Sequence, residues 1–325
     1  MHYRSFVAAI VGFGMASAAP AQVNPTWQTE ADQGNASSQF YVGYSYDAGD
    51  GVPRDMAEAV KWYRLSAEQG FIDAQLRLAE LYQKGRRIPK NDAEAAKWYL
   101  LAGAQGNSEA QFNLGFIYAT GKGLAKDAQE AVKWYGLAAE QGDVRAQFNL
   151  GLMAAKGEGM AQSDTEAVKW YRLAAEAGYT KAQVNLGSKY SNGTGVTIDA
   201  SEAVKWYRLA AEEGHPVGQF NLGTMYDTGT GVEKDAAEAV KWYRLASSQG
   251  NADAQNNLAI MYTEGKGVTA NSIKAYAWFA MAELLGQQDS GASRKDIAKQ
   301  MTSEQIAEAQ AMAVRCSESD YAGCD

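Results

Sequence analysis

The sequence predicts an all-α fold, an α/α solenoid of about seven 36-residue helix-turn-helix repeats with terminal caps. Three observations carry that prediction. Tryptophan recurs every 36 residues, at Trp62, Trp98, Trp134, Trp170, Trp206, Trp242 and Trp278, six times within Lys-Trp-Tyr and finally within Ala-Trp-Phe. A fixed period of roughly 20–50 residues is the mark of a stacked repeat architecture. Within each period two stretches carry apolar residues at helical spacing, with a glycine-bearing turn between them.

Taken in order, residues 1–21 read as a signal peptide. Arg4 supplies positive charge, Phe6 to Ala19 is apolar and small, and Ala19-Pro20-Ala21 offers a cleavage site before Gln22. The apolar stretch falls short of the ~20 residues that span a bilayer, and no cysteine follows it, which argues against a lipoprotein. The mature chain is expected to be exported and periplasmic, with secretion as the alternative and no membrane span. Residues 22–34 read as an N-terminal capping half-repeat, with a shortened second helix from Trp27 to Gly34. Seven repeats are expected at 35–70, 71–106, 107–142, 143–178, 179–214, 215–250 and 251–286.

The unit is clearest from Asn107 to Gly142. Ala110, Leu114, Ile117 and Tyr118 share one face of a first helix, and Gly121 and Gly123 break it. Asp127 opens the second helix, with Glu130 as a capping-box partner, and Ala131, Trp134, Tyr135 and Ala138 form its apolar face. Gly142 ends it in a left-handed cap. The pairs Asp55/Glu58, Asn91/Glu94, Ser163/Glu166, Asp199/Glu202 and Asp235/Glu238 repeat the device. Residues 287–325 begin as a polar stretch and end in a capping helix, opened by Thr302 and Gln305 and striped with Ile306, Ala309 and Ala313. Cys316 and Cys324 are expected to form a disulfide that fastens the tail. No histidine lies near them, so no metal site is expected.

Composition narrows the function. The net charge is −8 and no basic block appears, which argues against nucleic acid as a partner. There is no Ser-x-x-Lys, Gly-x-Ser-x-Gly or Walker-type Gly-Lys-Ser/Thr, and the Gly-x-Gly turns join two helices rather than a strand and a helix. His215, the one histidine outside the leader, is expected in an exposed loop. Asp47, Asp50 and Gly51 mimic part of a calcium loop but lack its other ligands, so a turn is expected there. Lys61, Lys97, Lys133, Lys169, Lys205 and Lys241 each follow a glutamate by three residues, as on a solvated helix face. No catalytic residue and no cofactor are expected.

Ala-Gln-Phe-Asn-Leu-Gly-x-x-Tyr, the Gly-x-Gly turn and Glu-Ala-Val-Lys-Trp-Tyr-x-x-Ala-Ala-Glu-x-Gly, all visible at 110–142, resemble the Sel1-like repeat (SLR) family, a relative of the tetratricopeptide repeat. The resemblance covers about 35–286. Arg87 departs from it at the second turn glycine, Ala154 at the tyrosine, and Lys274 at the glutamate. It implies a right-handed superhelix whose concave face is lined by the first helices. Asn113, Asn149, Asn185, Asn221 and Asn257 recur there, and an asparagine offers a peptide backbone both a donor and an acceptor. Beside them stand Phe40, Phe112, Phe148 and Phe220, with Tyr44, Phe116 and Leu152 one turn on. Exposed apolar patches mark interaction surfaces, although the same residues could instead stitch neighbouring units together.

The expected function is an exported, non-enzymatic scaffold or adaptor that binds protein or peptide partners on that face, in envelope signalling or assembly. One alternative is a β-lactamase-like or other cell-wall-active enzyme, as in a cysteine-rich branch of the family. That branch pairs cysteines within its repeats, whereas 35–286 contains none. A glycan-binding scaffold is the other.

Overall fold

The computed structural model describes residues 22–319 and 324; the leader expected at 1–21 lies outside them. The described residues form seventeen helices and no strand, the all-α solenoid that the period predicts. They fall into two compact units. The first ends at Gln105 and contains α1 (Pro25–Asp32), α2 (Ala36–Ala48), α3 (Met56–Glu68), α4 (Ile72–Lys84) and α5 (Asp92–Ala104). The second begins at Gly106 with α6 (Ser108–Thr120), α7 (Ala128–Glu140), α8 (Val144–Lys156), α9 (Asp164–Glu176), α10 (Thr180–Asn192) and α11 (Ala200–Glu212). It continues through α12 (Pro216–Thr228), α13 (Ala236–Ser247), α14 (Ala252–Glu264), α15 (Ser272–Leu284), α16 (Ser290–Ala298) and α17 (Ser303–Glu318). The even-numbered helices from α2 to α14 are the first helices of the repeats, and the odd-numbered ones from α3 to α15 the second.

Each first helix ends on a left-handed glycine, as Gly121 does at φ 76°. The second turn glycine serves a close approach. A Cβ at Gly231 would stand 2.3 Å from the Ala200 carbonyl oxygen, at the start of the preceding repeat's second helix. The second helices end in Schellman motifs: Gly142 N–H donates to the Ala139 carbonyl and Asp143 N–H to that of Ala138. Between the paired helices lies a ring-on-backbone contact. A Cβ at Gly151 would come within 2.5 Å of the Tyr171 ring, so the glycine of Asn-Leu-Gly is what lets the tyrosine pack.

The capping boxes form only in part. Asp127 Oδ1 accepts from Gln129 and Glu130 N–H, as expected, but the glutamate does not complete the box. The N–H that it would cap already donates to the Tyr118 carbonyl at 2.9 Å, and the same bond joins Asp235 to Tyr226 and Asn271 to Tyr262. Freed from that duty, Glu130 pairs with Lys133, and Glu58, Glu166, Glu202 and Glu238 pair likewise with the lysine three residues on. Thr302 and Gln305 do form a complete box.

Two departures from the repeat acquire a cause. Arg64, Arg172, Arg208 and Arg244 each donate to the hydroxyl of a tyrosine 18 residues on, stitching a second helix to the next first helix. In the third repeat Gly136 occupies the arginine position, and Ala154 occupies the position of its tyrosine partner. Donor and acceptor are absent together, so no buried hydroxyl is orphaned. Arg87 replaces a turn glycine for a different reason: it reaches back to Asp47.

The ends differ from expectation in one respect. The polar stretch after Gly286 contains α16, whose Ser290 is buried and donates to Asn256 Oδ1 at 2.8 Å. Buried Ser290 and Gly291 hold the start of this helix, and Ile297 near its end joins the core around Trp278. α17 carries Ala309 and Ala313 into the core around Trp278, and Cys316 is joined to Cys324 by a disulfide. At the other end, Trp27 of α1 stacks on Tyr41 with ring centroids 5.0 Å apart.

Candidate protein-interaction surface

The candidate residues lie on the first helices of the second unit, above a row of buried phenols. Tyr135, Tyr171 and Tyr243 belong to the second helices, and burial pushes each phenol above its ordinary value, so these hydroxyls stay protonated. Phe112 leans on Tyr135 at 5.8 Å between centroids, Phe148 on Tyr171 at 5.9 Å, and Phe220 on Tyr243 at 6.1 Å. Each phenylalanine is half-buried. One edge therefore joins adjacent helices while the remainder meets solvent.

A cation sits on each of two phenylalanine rings of this surface, Phe112 and Phe116. The Arg145 guanidinium lies 4.0 Å from the Phe112 centroid while its Nη2 donates to Asp143 at 2.6 Å. That ion pair holds the guanidinium above its usual range, the hydrogen bond to Asp143 outweighing the cost of burial. Phe116 is 38% exposed, with Lys122 Nζ 5.5 Å from its centroid. Leu152, one turn beyond Phe148, is half-buried against the apolar core around Tyr171 and Tyr190.

The asparagine row divides by partner. Asn113 and Asn149 donate only to their own helices, to the Glu109 carbonyl at 2.9 Å and the Arg145 carbonyl at 3.0 Å. Asn257 donates to the Tyr243 hydroxyl at 3.2 Å, and Asn185 bonds the Tyr171 hydroxyl. Asn221 is half-buried at the equivalent place. In the first unit the asparagine position is held by Tyr41 and by Arg77, and the arginine serves another end.

Arg77, Arg87 and Tyr63 converge on Asp47, which is 2% exposed; Arg77 Nε donates to it at 2.9 Å and the Tyr63 hydroxyl at 3.3 Å. Asp47 is thus a buried helical residue and not the calcium-like turn expected, which is confined to the segment around Asp50 and Gly51. Two departures from the repeat, Arg77 at the asparagine position and Arg87 at the turn glycine, were the signal for this cluster. His215 also differs from its expected exposed loop. It is the half-buried N-cap residue of α12, and burial, helped by Lys181, draws its imidazole below the ordinary value. Among the described residues no three His, Cys, Asp or Glu side chains are grouped to hold a metal ion, and no helix is long and apolar enough to cross a membrane.

The comparisons agree with this geometry. A family model described as the Sel1 repeat matches seven consecutive segments, 36–71, 72–107, 108–143, 144–179, 180–215, 216–251 and 252–287. A Sel1 repeat protein from Oxalobacter formigenes is 35% identical, with a TM-score of 0.70 over 83% of this chain and 79% of its own. A protective antigen present in uropathogenic Escherichia coli strains, displaying an SLR fold, is 31% identical, with a TM-score of 0.61 over 91% of this chain and 72% of its own. No curated protein matches. Seven matched segments, and two solved relatives that share more than the fold, make this chain a member of the Sel1 repeat family.

Proposed function

We propose that the chain is an exported, non-enzymatic scaffold that binds a protein or peptide partner on the exposed side of its first helices, in envelope signalling or assembly. One observation carries the reading. Phe112, Phe148 and Phe220 at one repeat position, and Phe116 and Leu152 one turn on, keep part of their apolar surface in solvent in the third, fourth and sixth repeats, and two of these rings carry a cation. Rings and guanidinium groups presented together are what interface hot spots are made of. The asparagines beside them can turn from their own helix carbonyls toward a partner's backbone, most readily Asn113 and Asn149, which hold no side-chain partner. Export is supported by the leader-like first 21 residues, by the disulfide, and by the Escherichia coli relative being a protective antigen.

The test combines Asn113→Ala, Phe116→Ser and Asn149→Ala in the full chain, immobilised and exposed to envelope extract. The main protein retained by the parent is expected to be lost while the circular-dichroism melt stays in place. Undiminished retention, or a melt that collapses because these side chains hold the repeats together, would count against the surface.

A further inference from the structure

A glutamine bridge recurs through the repeats, and its failure at one of them leaves a cleft. Gln69, Gln105, Gln141 and Gln249, at the ends of second helices, donate to Gln39, Gln75, Gln111 and Gln219 of the first helix of the same repeat, at 2.7, 2.8, 2.6 and 2.8 Å. The inner glutamines are buried, and where the outer one is replaced the inner Oε1 has no partner. This holds for Gln147, Gln183 and Gln255, whose bridging positions carry Ala177, Glu213 and Leu285. Only at Gln183 is the replacement an acid. A carboxylate has no proton to give an amide oxygen, so two acceptors now confront the gap that a donor and an acceptor close elsewhere.

At that place a cleft of about 490 Å³ is lined by Glu176, Gln183, Trp206, Leu209, Glu212 and Glu213, with no basic side chain in its lining. Gln183 is 4% exposed; its Nε2 is spent on the Ala175 carbonyl at 3.2 Å, leaving Oε1 as the unmatched acceptor. The Trp206 indole N–H is also unpartnered, but so are those of Trp98, Trp134, Trp242 and Trp278, so it belongs to the repeat and not to this site. What the cleft asks for is positive charge with several N–H donors. Trp206 and Leu209 supply apolar wall for a methylene stem, the arrangement that arginine and lysine side chains prefer.

We propose that this cleft binds an alkylguanidinium or alkylammonium group, placed between the Gln183 amide oxygen and the Glu213 carboxylate. The site shares no lining residue with the proposed partner surface and does not depend on that reading. Such a group could arrive as a free organic cation or as the basic side chain of a protein partner, and calorimetry on the full chain separates the two with agmatine and with an acetylated, amidated Ala-Arg-Ala peptide. Saturable one-to-one binding is expected, tighter for agmatine if the ligand is a free cation and tighter for the peptide if it is a side chain. Glu213→Gln restores the bridging residue of the other repeats. It should weaken binding at least about tenfold without lowering the melting temperature, whereas Glu212→Gln, which removes the same charge nearby, should weaken it less than about threefold. Absence of saturable binding at millimolar probe, or equal weakening by the two variants, as for a merely acidic surface, would overturn the assignment.

Discussion

At the scale of single residues, the arginines around Asp47 illustrate how departures from a repeat can be a device. The Asp47 carboxylate is almost wholly buried and is held by Arg77 and Arg87 from the next repeat of the same unit. A buried charge is tolerated only when it is paired and hydrogen-bonded, and removing one partner is far costlier than never having had the pair. Arg77→Met is therefore expected to destabilise the protein by about 3 kcal/mol in denaturant unfolding, toward the lower end of such losses because Arg87 remains. An unchanged midpoint would mean that Arg87 alone suffices. The sequence shows Arg77 and Arg87 as exceptions, but a buried ion pair is a fact about space. Nothing in the spacing of 47, 77 and 87 states that they meet.

At the scale of the element, the helices and their turns were legible because each is encoded locally. Glycine stops the first helix, an Asp, Asn or Ser side chain usually starts the second, and the alternation of Trp, Tyr and Ala fixes which face turns inward. The half-made capping boxes were not legible, since the competing acceptor for each cap N–H lies on the preceding helix. Gly136 is the element-scale weakness. It lies inside α7, and a Cβ there would meet nothing within 4 Å. Glycine in a helix interior is unfavourable chiefly through the freedom it gives the unfolded chain. Gly136→Ala should raise stability by about 1 kcal/mol, seen as a higher melting temperature with unchanged circular dichroism. A lower melting temperature would show that the open space is needed. α16 escaped the sequence reading because its stripe is weak: Ser290 and Gly291 are buried where an apolar residue would normally announce a helix.

At the scale of the whole molecule, a periodic chain hides its function in what the period does not explain. Trp, Ala and Tyr recur because every unit must bury the same seam, and stability grows by adding units, each stacked on its neighbours. The candidate surface was legible as a row of asparagines and aromatics. Its division was not, because whether an asparagine bonds a neighbouring tyrosine or its own helix depends on packing that equivalent positions do not share. The glutamine bridges, set 30 residues apart, were available to the eye but carry no meaning until their oxygens are located. Partner binding on the exposed side of the first helices is the central claim, and site-specific photocrosslinking tests it most directly. A benzophenone amino acid is placed at Phe116 or Leu152 on first helices, and at Leu137 or Leu173, which are exposed on second helices, as the comparison. The account predicts a discrete adduct with the same protein from positions 116 and 152 and none from 137 and 173. An adduct confined to 137 and 173, or no discrete adduct at 116 and 152, would contradict it.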